Sequence, residues 1–371
     1  MVAPLAARPR ARLLITGFAT LLGASIACNV FTSLDQCDGD SDCAAGSTCD
    51  PQGKFCLARD GGPREAGADA ADGGSSDAAP DVVVVPACDP TKPFQGPQLV
   101  KGLESEAVFS ARFTQGESVA YLSALEREDG SVEPDLYTST RDGGESSFGA
   151  LFKLQVSEPG VSEYWPTVTA DEKFMFFESD RNAMGTAGSY VPERSRIWFS
   201  TKSFTFEPAT LQGVFTTTTS FIEGAPYLDP QGRAIYFMSA GRGADGGGDL
   251  DLYESLLEKT GAAGPPTSLG PNINTDRAEN VPVVSADQLT LYFARANDVG
   301  VFDIWTSKRA SPSAPFGAAS IVGGLDTPYE EFPSYVSDDA CRLYLVSNRP
   351  LVDGGATGLD TFRLYLAQRP R

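Results

Sequence analysis

Four glutamates, Glu163, Glu223, Glu279 and Glu330, each stand three residues ahead of a proline at the start of a strand-like segment. Carboxylates gathered in this way could do three kinds of chemistry. As a ring they would attract a cation or a basic segment, because like charges lining a low-dielectric cleft focus the field. As a pair they could hydrolyse a glycosidic bond, at a separation of about 5–5.5 Å if retaining or roughly 6.5–9.5 Å if inverting. Paired instead with Arg181, Arg242, Arg295 and Arg349, which follow the next strand in each case, they would be structural ties. Recurrence at one repeat position favours the last reading, since catalysis needs unlike environments to separate two pKa values. Trp165, two residues after Glu163, reads as packing between neighbouring sheets, with reach into a central channel as the alternative. Asp245, Asp249 and Asp251, in GRGADGGGDLD, supply calcium-type oxygen ligands without the spacing of a full calcium loop. A Gly-rich surface loop is the competing reading.

The 371 residues include no histidine. That excludes Ser-His-Asp and Cys-His nucleophile pairs, His-ligated zinc or haem, and a histidine general base. With 29 Lys+Arg against 49 Asp+Glu the net charge is −20, the opposite of what a nucleic-acid surface requires. No cofactor is expected. The 38 Gly, 26 Pro, 22 Phe and 12 Tyr point to many short strands and turns.

Arg8, Arg10 and Arg12 precede an apolar run from Leu13 to Ala27, so residues 1–27 read as a signal peptide. Fifteen helical residues would span only about 23 Å, short of a membrane core. Ser25-Ile26-Ala27-Cys28 resembles the lipobox of bacterial lipoproteins, which implies acylation of Cys28 and a tether over 28–36. The lipobox usually has Leu where Ser25 stands, and ordinary cleavage after Ala27 is the alternative. Removing Cys28 from seven cysteines leaves six, an even number in an exported chain where disulfides persist. Asn29 in place of Asp implies, by the same resemblance, the outer membrane of a Gram-negative cell envelope.

Cys37, Cys43, Cys49 and Cys56 lie in a segment with almost nothing to bury, so crosslinks must supply its order. Zinc is disfavoured by the spacing and by an oxidising route. The spacing resembles small EGF- or Dickkopf-like knots; of three connectivities, Cys37–Cys49 with Cys43–Cys56 is preferred. Residues 57–87, rich in Gly, Ala and Asp, read as a disordered acidic linker.

From residue 88 a unit recurs five times: Glu-x-x-Pro, a turn, an aromatic-aliphatic strand, a polar loop and Asp-Leu/Ile-Tyr/Trp. Aligned on Tyr121, Phe177, Phe237, Phe293 and Leu345, the copies fall 56, 60, 56 and 52 residues apart. The unit resembles the WD40-like repeat of TolB-type β-propellers, which implies an all-β, five-bladed propeller over 88–371. The fifth copy lacks a fourth strand because the chain ends, whereas KPFQGPQLVKGL near the start matches SAPFGAASIVGGL of the fourth. An N-terminal strand therefore completes the last blade and covers its edge. Cys88, ahead of that strand, and Cys341, ahead of the second strand of blade 5, fall at one end of the blade within reach of a disulfide.

The expectation is a monomeric, non-catalytic envelope lipoprotein, bound to the membrane through its lipid. Its propeller would bind a protein or a glycan. A carboxylate-only glycoside hydrolase is the alternative, since five-bladed propellers also host glycosidases.

Overall fold

The computed structural model describes residues 88–371 except 115, 126–132, 143–145, 182–194, 203–205, 207–209, 212–221, 243–249 and 352–360, together with the backbone of 47–49 and 56–58. The chain divides into two compact units, Met1–Arg59 and Asp60–Arg371. In the first, β1 (Ser47–Cys49) pairs antiparallel with β2 (Cys56–Ala58), and Cys49 stands opposite Cys56 in the register. Cys28, Cys37 and Cys43, the signal-peptide segment and residues 59–87 of the linker lie outside the described residues, whereas Leu57 and Ala58, assigned to the linker from the sequence, belong to β2.

The second unit is all-β and consists of five four-stranded antiparallel sheets. Blade 1 is β4 (Val108–Thr114), β5 (Val119–Leu125), β6 (Pro134–Thr140) and β7 (Phe152–Lys153); blade 2 is β8 (Glu163–Val168), β9 (Phe174–Ser179), β10 (Arg196–Thr201) and β11 (Thr210–Leu211). Blade 3 is β12 (Ile222–Leu228), β13 (Ala234–Ala240), β14 (Asp251–Leu256) and β15 (Thr267–Ser268); blade 4 is β16 (Glu279–Val284), β17 (Thr290–Ala296), β18 (Phe302–Lys308) and β19 (Ser320–Ile321). Blade 5 is β20 (Glu331–Val336), β21 (Arg342–Ser347), β22 (Arg363–Gln368) and β3 (Gln98–Leu99). The innermost strands touch in the cyclic order β4, β8, β12, β16, β20 and back to β4, so the ring is closed.

Sequence explains the layering. Second strands such as FMFFES and AIYFMSA are buried along nearly their whole length, because neighbouring blades cover both faces and the usual inside-outside alternation disappears. The outermost strands are two residues long and partly solvated, leaving Phe152 65% and Ile321 40% exposed. Edges this short offer little template for pairing with another chain.

Closure uses chain from both ends. Leu99 and Gln98 pair with Tyr365 and Leu366, Gln95 N–H donates to Gln368 O (2.7 Å), and Asp89 N–H to Pro370 O (2.9 Å). The Arg369 guanidinium lies 4.1 Å from the Phe94 ring centre and donates to the Pro90 carbonyl (2.5 Å). Cys88 and Cys341 are joined by a disulfide, Cα–Cα 5.6 Å, across 253 residues of sequence.

Register corrects one alignment. Opposite the Tyr/Trp of the third strands stand Leu122, Phe177, Phe237, Phe293 and Leu345, so Leu122 and not Tyr121 is the first member of that series. Tyr121 belongs with Phe176, Tyr236, Tyr292 and Tyr344 one residue earlier, on the face turned to the next blade. There Tyr236, Tyr292 and Tyr344 make a tie that the motif did not reveal. Arg141, at the end of β6, donates to the Glu117 carbonyl (2.8 Å) and to Tyr344 Oη of blade 5 (2.9 Å). Arg309 repeats this on Gln288 and Tyr236, and Arg369 on Ala340 and Tyr292. Each accepting carbonyl belongs to a tight-turn residue with positive φ: Glu117 (67°), Gln288 (59°) and Ala340 (55°).

Candidate functional site

The repeated glutamates sit where the innermost strands begin, but they face into the blades. Glu163, Glu223 and Glu279 have no exposed surface. Arg181 Nη2 donates to Glu163 (2.6 Å), Arg242 to Glu223, and Arg295 Nε to Glu279 (2.8 Å). Two of these arginines also reach the preceding connection, Arg181 at Val156 O and Arg295 at Ile273 O, and so fasten blades 2 and 4 to the blades before them. Burial pushes the Glu163 carboxyl up to about 8 and Glu223 to about 7, and the facing arginines offset only part of that rise.

In blade 5 the equivalent carboxylate is Glu331, not Glu330. Glu331 is opposite Ser347, fully buried, and takes Arg349 Nη2 (3.1 Å) and the Thr327 hydroxyl; burial raises it to about 7. Glu330 instead accepts the Phe302 N–H from blade 4 (3.0 Å). The proline misled the spacing: the bulge of β20 falls after Pro333, one position later relative to proline than in β8, so counting back three residues overshoots the buried position. The ring of four cation-attracting carboxylates is therefore replaced by buried ion pairs.

What faces the axis is the residue after each glutamate. A cavity of about 310 Å³ opens where the innermost strands start, and all five blades contribute to its wall. Tyr164, Asn280 and Phe332 each follow a buried glutamate, Phe109 follows Val108, which holds the glutamate's place in blade 1, and Trp165 stands one residue further on than Tyr164. Trp165 lines the axial cavity. It is held in a bulge at φ 53°, matched by Ala225 (46°) and Val281 (48°) in the next two blades. Its N–H is caught by the Ser110 hydroxyl of blade 1 (3.0 Å).

The rings form a belt. Tyr164 meets Phe109 edge-on with centroids 5.7 Å apart, Phe109 meets Phe362 at 5.7 Å, Phe362 meets Phe332 at 6.2 Å, and Phe332 meets Trp165 at 6.2 Å. Facing them is Glu178, a carboxylate that the repeat pattern did not single out. Register puts Ser123, Met238, Ala294 and Val346 at its position in the other blades, so one copy of an otherwise uncharged position carries a carboxylate. Ser195 Oγ donates to Glu178 Oε1 (2.5 Å) and Ala225 N–H to Oε2 (2.8 Å). Among the described residues no lysine or arginine pairs with it; burial, and to a smaller degree the neighbouring Asp180, raises its pKa. Room for the carboxylate comes from Gly224, where a Cβ would run into the Glu178 side chain and the Met238 methyl.

Behind Trp165 lies Arg112, 3% exposed and stacked 4.7 Å from the Tyr227 ring centre and 5.8 Å from that of Trp165. Its Nη1 donates to the Ala111 (3.2 Å) and Ser334 carbonyls, whereas Nε and Nη2 have no hydrogen-bond partner among the described residues. Burial lowers its pKa to about 10.

Asp245 and Asp249 lie outside the described residues. Asp251 is buried at the start of β14, and among the described residues no group of three metal-ligating side chains comes together.

No protein-family model and no curated protein matches the sequence. Among solved structures the chain is similar to TolB from Acinetobacter baumannii, with 15% identity over 71% of this chain, a TM-score of 0.40, and coverage of 55% of that chain, so it spans about half of TolB. It is also similar to an α-L-arabinofuranosidase from Podospora anserina in complex with cellotriose, with 10% identity, 76% and 98% coverage and a TM-score of 0.44. A thermostable family-43 glycoside hydrolase gives 15% identity, 74% and 91% coverage and a TM-score of 0.45. These likenesses concern the fold alone.

Proposed function

We propose that the chain is a non-catalytic, monomeric binding protein of the cell envelope, acylated at Cys28 and exported by residues 1–27. A disulfide-held module over 37–56 and an acidic linker over 57–87 would precede the propeller. The axial funnel is the contact face, and its ligand is a glycan or a segment of an envelope protein. The observation that carries this reading is the funnel wall: five aromatic rings and one carboxylate among the described residues. Two-carboxylate hydrolysis needs a second acid within about 10 Å on the opposite side of the bond, and the repeated glutamates that might have supplied it are each bonded to an arginine.

The test incubates the full-length protein with a panel of plant and bacterial oligosaccharides and peptidoglycan fragments, following both binding and product release. Saturable binding without turnover, weakened by Phe332→Ala, is the expected result. Hydrolysis abolished by Glu178→Gln would replace the binder with a glycosidase. Metabolic labelling with a palmitate analogue, lost in Cys28→Ala, tests the anchor separately.

A further inference from the structure

We propose that the funnel is an aromatic cage for an alkylated ammonium group, as carried by choline, betaines or methylated lysine. This names the ligand class of the funnel and rests on the binding reading above.

Three observations converge on it. The first is the belt itself, Tyr164, Phe109, Phe362, Phe332 and Trp165, continuous from ring to ring and drawn from blades 1, 2 and 5. Ring faces attract a cation through their quadrupoles, and a quaternary ammonium, whose hydration is weak, gives up least on leaving water. The Arg112 guanidinium already stands over Trp165, so Tyr164 and the three phenylalanines carry most of that attraction.

The second is Glu178. Its bond to the Ala225 N–H secures the bulge of β12, yet in blade 1 the equivalent bulge contact, to the Trp165 N–H, is made by the uncharged Ser110 hydroxyl. The negative charge is thus surplus to the structural task. A buried carboxylate with no partner cation among the described residues is costly, and a ligand cation in the funnel supplies a counter-charge. The third is size and lining. The cavity of about 310 Å³ matches a small-ligand site, and among the described residues that line it the polar groups besides Glu178 are Ser195, Asn280, the Tyr164 hydroxyl and the Trp165 indole N–H. A trimethylammonium head needs few hydrogen bonds and much apolar contact; a sugar needs partners for every hydroxyl it buries.

The test titrates choline, glycine betaine and tetramethylammonium into the full-length protein by calorimetry, with the neutral isostere 3,3-dimethylbutan-1-ol as control. Choline is expected to bind saturably and about tenfold or more tighter than the isostere. Glu178→Gln, which keeps an acceptor for Ala225, should weaken choline by about tenfold while leaving the isostere unchanged. Phe332→Leu should weaken choline as well. Equal binding of choline and its isostere, or no saturable binding of any ammonium compound at 10 mM, overturns the cage. If an oligosaccharide binds in the latter case, the cage fails and the binding protein stands; if nothing in either panel binds, both readings fall.

Discussion

Replacing both Cys88 and Cys341 by serine removes the one covalent link across the seam between blade 5 and the N-terminal strand. The bond closes 253 residues of sequence. On the chain-entropy relation, a loop of that length constrains the unfolded chain by about 5.5 kcal/mol at 25 °C. Spread over the unfolding entropy of a domain this size, that is roughly 9 °C of melting temperature. The native seam should survive the change, because it keeps the β22–β3 ladder, the Gln95 and Asp89 backbone bonds and the Arg369 contacts. Urea unfolding of the oxidised protein and the double variant, followed by near-UV circular dichroism, separates the two states. The folded spectrum should be unchanged, the midpoint lower, and the m-value larger, since the freed unfolded chain exposes more surface. A stability loss below about 1 kcal/mol, or a folded spectrum already altered without urea, would refute the reasoning.

Glu331→Gln should destabilise by about 1–3 kcal/mol, because its two oxygens receive Arg349, Thr327 and a backbone N–H and an amide would turn a donor toward donors. Glu330→Gln should stay within about 0.5 kcal/mol, so a thermal melt of the pair tells which glutamate occupies the buried position. Tyr344→Phe removes one hydrogen bond each from Arg141 and Glu117, which stay paired with one another, and should cost about 0.5–1.5 kcal/mol, read by chemical denaturation. Gly224→Ala forces the Glu178 carboxylate or Met238 aside, for about 1–3 kcal/mol of destabilisation with weakened ligand binding, measured by melting and calorimetry. Glu163, at about 8, and Glu223 and Glu331, at about 7, hold protons in the folded chain that they release near 4.3 when unfolded. Folded protein therefore binds more protons between those limits, stability falls as pH rises from 5 to 8, and the melting temperature at pH 5.5 should exceed that at pH 8.5.

The fold was legible because a propeller writes its architecture as a period, and because the KPFQGPQLV segment carried the signature of a strand missing from the far end. The four arginines after the second strands were legible as partners for the glutamates for the same reason. The site was less so. A repeat draws the eye to what recurs, yet the funnel is built from what differs: Tyr164, Gly224, Asn280 and Phe332 occupy one position in four blades. Glu178 is the one charged residue at its position, visible only once the register shows Ser123, Met238, Ala294 and Val346 in its place. Glu330 was chosen over Glu331 because proline spacing is a local rule and a bulge shifted by one residue breaks it. The Arg–Tyr ties were hidden because their partners lie in different blades, some 70 to 200 residues apart.

The shackle at Cys88 also decides where a mechanical load would go. Tension arriving along the chain from residues 1–87 meets the sulfur bridge before it meets β3, and passes directly into β21, a central strand bonded along its full length on both sides. The two-residue ladder of β3, which alone would peel open pair by pair, is shielded from that pull. With the thiols reduced, the same tug would unzip the last blade from its rim, so the redox state of one bond sets the force the ring can bear.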